Sequence, residues 1–285
     1  MVTGINGAES RYSGGMTMNR IALWVMSAGC GLAAMGSGVT ATHAQDLGPY
    51  PTTYGDRASP LSFYSEIEIL DGSYFISQQF DFAFNGDLSR SGFILRGTVG
   101  SGDDDYITTD ATGARQKIDV DPVTADLLLG YTLVGGNLRW TTLVGGNYLD
   151  YDINPSDPSN PTAGDEAGFK VASSLETEEA KPIYAGIYGE YSTAYNTYYA
   201  IARLGYRFSN TVIGPEFVAI GDETFDSQRV GGFINFPLRL LANLQPDVTI
   251  AGGYSFVGDD DGIGFSPGAG SGDGGYLTVG FGLDF

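Results

Sequence analysis

The sequence predicts one antiparallel transmembrane β-barrel of twelve strands over residues 61–285, preceded by a cleaved signal peptide. Three observations predict it. The final segment, Tyr276 to Phe285, alternates large apolar with small or polar side chains and ends on an aromatic. Segments of about ten residues with the same period recur along the chain, as strands with one face in lipid and one in a lumen require. Beyond the leader there is no apolar run of about eighteen residues, so a helical span is excluded and only a closed sheet can cross a membrane.

Residues 1–44 read as the signal peptide. Arg20 supplies the positive end, Ile21 to Ala34 the apolar stretch, and Thr42-His43-Ala44 a small-x-Ala cleavage site before Gln45. Met16 and Met18 are alternative starting points for that leader. Cys30 invites a lipoprotein reading, but Ser27 stands three places before it where a bulky aliphatic is wanted. Residues 45–60 are polar and proline-punctuated, and are expected to form a short periplasmic segment.

The barrel begins at residue 61. In the last segment Leu277, Val279, Phe281, Leu283 and Phe285 share one face, opposite Thr278, Gly280, Gly282 and Asp284. Tyr276, Phe281, Leu283 and Phe285 are read as the barrel-assembly signal. Phe93, Leu95 and Val99 oppose Arg96 and Thr98 in the same way, and Leu127, Leu129, Tyr131 and Leu133 oppose Asp126 and Thr132. Leu138, Trp140, Val144 and Tyr148 stand against Arg139 and Asn147. Phe169, Val171 and Leu175 stand against Lys170 and Ser174, and Tyr198, Leu204, Tyr206 and Phe208 against Arg203 and Arg207. Less regular segments span 61–70, 73–84, 181–193, 211–221, 228–237 and 247–257.

Connections test this count, because outer-membrane barrels alternate short periplasmic turns with longer outer loops. Long stretches fall at Ser101 to Asp121, Asp152 to Asp165 and Gly258 to Gly275. Short ones fall between them, at Gly135-Gly136, Glu176 to Lys181 and Ser209-Asn210, with a medium one from Arg239 to Pro246. Only Asp71-Gly72, a hairpin signal, is short on the outer side. Twelve strands put both barrel termini in the periplasm of a Gram-negative cell.

Composition narrows the chemistry. The chain has 14 Lys and Arg against 34 Asp and Glu. Removal of the leader takes Arg11, Arg20 and Glu9, and leaves a strongly acidic protein with no nucleic-acid partner. It also takes Cys30 and His43, the single cysteine and histidine. Without histidine the chain lacks the commonest general base and transition-metal ligand, and no catalytic residue, cofactor or metal ligand is predicted. Glu66, Glu68, Asp81, Glu190 and Glu216 are inward carboxylates for which pairing with Arg or Lys is the simpler reading than glycosidic chemistry. The runs Asp103-Asp104-Asp105 and Asp259-Asp260-Asp261, with Asp222, Glu223 and Asp226, read as solvated outer loops. Asp150, Asp152, Asn154 and Asp157 resemble the start of a calcium loop, but Pro155 occupies the glycine position and Pro161 the closing glutamate position.

Five blocks resemble the cellulose biosynthesis protein BcsS family of alphaproteobacteria. They are NGDLSRSGFILRGTVG at 85–100, DLLLGYTL at 126–133 and LDYDINPSDPSNPTAGDEAGFKVASSLET at 149–177. The most specific are EYSTAYNTYYAIARLGYRF at 190–208 and IGPEFVAIGDETFDSQRVGGFI at 213–234. The resemblance implies a non-enzymatic accessory outer-membrane protein of cellulose biosynthesis or secretion. Its expected partners are outer-membrane lipid and lipopolysaccharide, the barrel assembly machinery, and the cellulose chain or cellulose secretion proteins. A saccharide-specific porin or a structural anchor not tied to cellulose synthesis is the alternative. Arg96, Arg139, Lys170, Glu190, Tyr199, Arg203, Arg207, Glu216 and Arg229 are expected to line the lumen. These groups either line an open passage by stacking and hydrogen bonding to sugar or pair across the lumen and plug it.

Overall fold

The computed structural model describes residues 58–70, 73–109, 113–158, 160–177, 181–224, 226–238, 246–257 and 273–285. The signal peptide, most of the 45–60 segment and the Asp259–Asp261 run lie outside the described residues. Twelve strands follow one another: β1 (Leu61–Leu70), β2 (Ser73–Ala83), β3 (Gly92–Thr109), β4 (Arg115–Gly135), β5 (Leu138–Asn154) and β6 (Gly164–Thr177), then β7 (Ile183–Ser192), β8 (Tyr198–Phe208), β9 (Thr211–Gly221), β10 (Asp226–Pro237), β11 (Asp247–Val257) and β12 (Gly274–Asp284). Each pairs antiparallel with its sequence neighbour, and β1 pairs with β12 to close the barrel. Closure leaves no strand edge around the ring to meet lipid with unpaired amides. One circuit through the paired residues returns to β1 displaced by about 14 residues, which tilts twelve strands by about 40° from the barrel axis.

Alternation explains the two faces. Phe93, Leu127, Trp140, Phe169, Leu204, Phe217, Val230 and Leu277 stand exposed on the outer wall, while Thr98, Asp126, Arg139, Lys170, Arg203, Glu216, Arg229 and Thr278 are buried within it. An apolar outside and a polar, ion-paired inside is the inverse of a water-soluble domain, and lipid is the solvent that such an outer wall matches. At the base, where β1 begins and β12 ends, the β4–β5 and β8–β9 turns are tight. Gly136 and Asn137 join β4 to β5 with φ of 66° and 72°, the pair of left-handed residues that a two-residue type I′ hairpin needs.

The opposite end differs from the sequence expectation. Ser101 to Asp121 reads as a long loop, yet β3 continues to Thr109 and β4 starts at Arg115. Their ladder runs from Asp104↔Val120 to Thr109↔Arg115. The reason is apolar pairing that the Gly-Asp composition hides: Tyr106 faces Ile118, which is fully buried. The ladder skips where Pro122 has no amide hydrogen to give. Asp103–Asp105 therefore belong to a strand, with Asp104 and Asp105 buried, and are not part of a solvated loop. Strands β3 to β5 run 18, 21 and 17 residues, against the 9–11 or so that cross a bilayer, so this part of the wall projects beyond it.

Candidate functional site

The lumen gathers most of the chemistry. At the base, Arg96 on β3 grips Asp81 of β2 through both Nε and Nη2 at 2.8 Å. Beside it Arg139 on β5 lies 3.5 Å from Glu176 of β6 and donates from Nη1 to the Leu88 carbonyl at 2.6 Å. Leu88 comes from the β2–β3 connection, which folds inward: its amide donates to the Ser59 carbonyl at 2.9 Å, and its side chain joins the lumen core. Asp87 anchors this connection by accepting from the Ser89 amide and hydroxyl at 2.9 and 2.6 Å. These Ser89 hydrogen bonds, and the nearby Arg90, hold its carboxyl below the ordinary value of 3.8. Arg207, half-buried on β8, donates its backbone amide to Pro182 O at 2.7 Å.

Charged groups cross the middle in two clusters. Lys170 Nζ lies 2.7 Å from Asp126 Oδ2 and 3.1 Å from Glu190 Oε1, and the Tyr188 hydroxyl donates to the other Glu190 oxygen. On the far wall Arg203 grips Glu216 Oε2 at 2.5 Å, and Tyr276 donates its hydroxyl to Glu216 Oε1 at 3.0 Å. Arg229 Nη1 donates to Glu68 Oε2 at 2.6 Å. The Arg203 and Arg229 guanidiniums lie over the Phe233 and Tyr276 rings, at 5.2 and 5.7 Å from their centroids. Tyr199 is buried near the same cluster.

Between the clusters the interior is apolar, which the sequence reading missed. Ile94, Leu128, Leu143, Ile201, Val218 and Ile220 form one buried core with Tyr188 and Tyr199. The signal was present at Leu127-Leu128-Leu129, three consecutive leucines in a strand whose period allows only two to face lipid. This packing keeps the mid-lumen side chains dry: Leu128 is 0% exposed, Arg229 1% and Lys170 3%.

At the projecting end, the β7–β8 connection tucks inward as a single 3-10 turn, Ala194–Asn196. Ala194 and Tyr195 pack on Leu149 and Tyr151 of β5. Tyr195 and Asn196 both have positive φ, 48° and 51°, a conformation held by Glu166 accepting from the Tyr195 amide at 3.2 Å and by the Tyr191 hydroxyl donating to Asn196 at 2.6 Å. The β5–β6 connection crosses toward β3, where Tyr106 donates to Asp157 at 3.0 Å.

Of the residues read as an assembly signal, Phe285 is exposed and Phe281 and Leu283 half-exposed, whereas Tyr276 turns inward to Glu216. No group of three or more His, Cys, Asp or Glu among the described residues is placed to hold a metal ion.

Comparison with known proteins adds a family. No curated protein matches the chain. Among solved structures, a KdgM porin is similar at 12% identity over 79% of this chain and 99% of its own, with a TM-score of 0.41. A Pseudomonas aeruginosa FadL homologue is similar at 9% identity over 79% of this chain and 74% of its own, with a TM-score of 0.37. The outer membrane protease OmpT from Escherichia coli is similar at 13% identity over 80% of this chain and 94% of its own, with a TM-score of 0.30. The sequence profile of the cellulose biosynthesis protein BcsS family matches residues 63–285, from the first strand to the last residue. The chain belongs to the cellulose biosynthesis protein BcsS family.

Proposed function

We propose that this barrel is a non-enzymatic accessory component of cellulose biosynthesis in the outer membrane of a Gram-negative cell, working with its lumen shut. In this reading residues 1–44 are the cleaved leader, residues 45–60 lie in the periplasm, and both ends of the wall, Leu61 and Phe285, face that side. The family assignment supports the link to cellulose, and the apolar outer wall supports the membrane location. Partners in this reading are outer-membrane lipid, the assembly machinery that recognises the last strand, and the cellulose chain or its secretion proteins.

One observation carries the shut lumen: Lys170, Arg203 and Arg229 are ion-paired with Asp126, Glu216 and Glu68 and almost fully buried. The same pairing speaks against catalysis. Asp81, Glu68, Glu190 and Glu216 each face a cationic partner, so their oxygens are occupied by ion pairs within the wall rather than held toward a substrate. Purified protein in planar bilayers is expected to show no steady conductance. Deletion of the gene is expected to alter cellulose secretion without abolishing membrane integrity. A persistent open-channel current would overturn the shut lumen, and unchanged cellulose secretion would overturn the accessory role.

A further inference from the structure

Arg229 is fully buried in mid-lumen, yet only Nη1 has a partner. Its Nε and Nη2 atoms have no hydrogen-bond partner. These two atoms form one edge of the guanidinium, a fork suited to two adjacent oxygens. The same protein shows that fork in use, since Arg96 closes its Nε and Nη2 on the two oxygens of Asp81. An unmet buried donor is costly, more so on a charged group, so the closed lumen keeps a prepared grip unengaged.

Three ligand chemistries offer paired oxygens: a carboxylate, a phosphate and a pair of neighbouring hydroxyls. Surrounding charge decides among them. Glu66, Glu68 and Glu216 outnumber Arg203 and Arg229 in this part of the lumen, so a further anion meets net repulsion in a low-dielectric site. A neutral diol does not. It accepts from the fork while its own hydroxyl hydrogens face carboxylates, and the buried rings of Tyr276 and Tyr199 offer apolar faces to a pyranose ring.

We propose that Arg229, with Glu68, Tyr276 and Tyr199, is a binding point for a neutral glycan chain whose sugars carry adjacent hydroxyls, as β-linked glucose does. This rests on the reading of the barrel as a cellulose component and names what that component holds. Access requires the packed lumen to open. On the projecting side of Arg229 the inward neighbours are small, Ser227 and Ser255, joined by one hydrogen bond of 2.8 Å, so little bulk has to move there.

The test uses the full-length protein extracted from outer membranes, with folding checked by heat-modifiable electrophoretic mobility. Titration calorimetry with cellotetraose is compared with tetragalacturonate, an acidic tetrasaccharide. The wild type is expected to bind cellotetraose and to bind tetragalacturonate at least about tenfold more weakly, the size of effect that one charge-assisted contact makes. Arg229→Lys keeps a cation opposite Glu68 but has no fork, and is expected to bind cellotetraose about tenfold more weakly. Where Arg229→Lys does not fold, Tyr276→Leu removes the ring beneath the guanidinium and is expected to weaken binding to a similar degree. No binding of cellotetraose to folded wild type overturns the proposal, as do an undiminished affinity in the folded variant and a preference for tetragalacturonate. Failure of the calorimetry leaves the gene-deletion phenotype standing, and absence of that phenotype leaves the binding site standing, so the two readings fall separately.

Discussion

Lys170 holds two carboxylates, Asp126 and Glu190, in a part of the lumen from which water is excluded. Lys170→Met therefore leaves both anions buried without their cation, and loss of one member of a buried pair costs roughly 3–5 kcal/mol. The expected result is a lower guanidinium midpoint of the folded barrel in detergent, partly recovered when Asp126→Asn is added. Glycine positions make a second test, because their neighbours differ. A Cβ at Gly214 would sit 1.8 Å from the Leu204 carbonyl oxygen, which is backbone and cannot swing aside, whereas at Gly189 the nearest atom is 3.9 Å away. Gly214→Ala is expected to cost roughly 1–3 kcal/mol through a forced strand displacement, and Gly189→Ala close to nothing, in the same unfolding measurement.

Among the elements, the projecting parts of β4, β5 and β6 carry an unusual row of charge. Asp121 lies directly across from Asp152, and Asp150 across from Asp165. Like charges at opposed strand positions destabilise the pair. Asp121→Asn should thus stabilise the projecting sheet by about 0.2–1 kcal/mol, seen as slower proteolysis between Thr109 and Gly113. Slower cleavage that requires added salt in the wild type but not in the variant would identify charge as the cause. The β2–β3 connection responds to pH instead. Its Asp87 carboxyl, held below 3.8 by Ser89, stabilises the folded connection fully above the unfolded value, and that contribution is lost as pH falls through the lower folded value. Amide exchange at Leu88 is expected to speed up below about pH 4, and Ser89→Ala to move that onset to higher pH. Strand existence was legible from the period-two pattern, since facing lipid is a local property of each segment. The extent of β3 and β4 was not, because Ile118 becomes an interior residue only when Tyr106 is folded against it.

For the whole molecule, the ring of twelve is what converts a set of marginal hairpins into one sheet with no edge, with the register of β1 against β12 as the final link. It also brings together groups from distant parts of the chain. Glu68 and Arg229 are 161 residues apart, and Glu216 and Tyr276 are 60 apart. The bilayer experiment belongs at this scale, because conductance reports the lumen as a whole. A silent wild type together with a conducting Arg203→Ala/Arg229→Ala double variant would show that these pairs hold the passage closed, and silence in both would assign closure to the apolar core around Leu128.

The sequence by itself determined the class of fold, the number of strands and the face that meets lipid, because each depends on alternation within about ten residues. By the same rule Arg96, Arg139, Lys170, Glu190, Tyr199, Arg203, Arg207, Glu216 and Arg229 are expected to line the lumen, and these side chains are buried or half-buried. Only the tertiary structure decided which of them meet, that Tyr276 belongs to the lumen cluster, and that leucine and isoleucine share the interior with the charges. The physical reason is that a strand's period tells a side chain which way to point, but its partner is chosen by the shear and closure of the whole ring, to which every strand contributes.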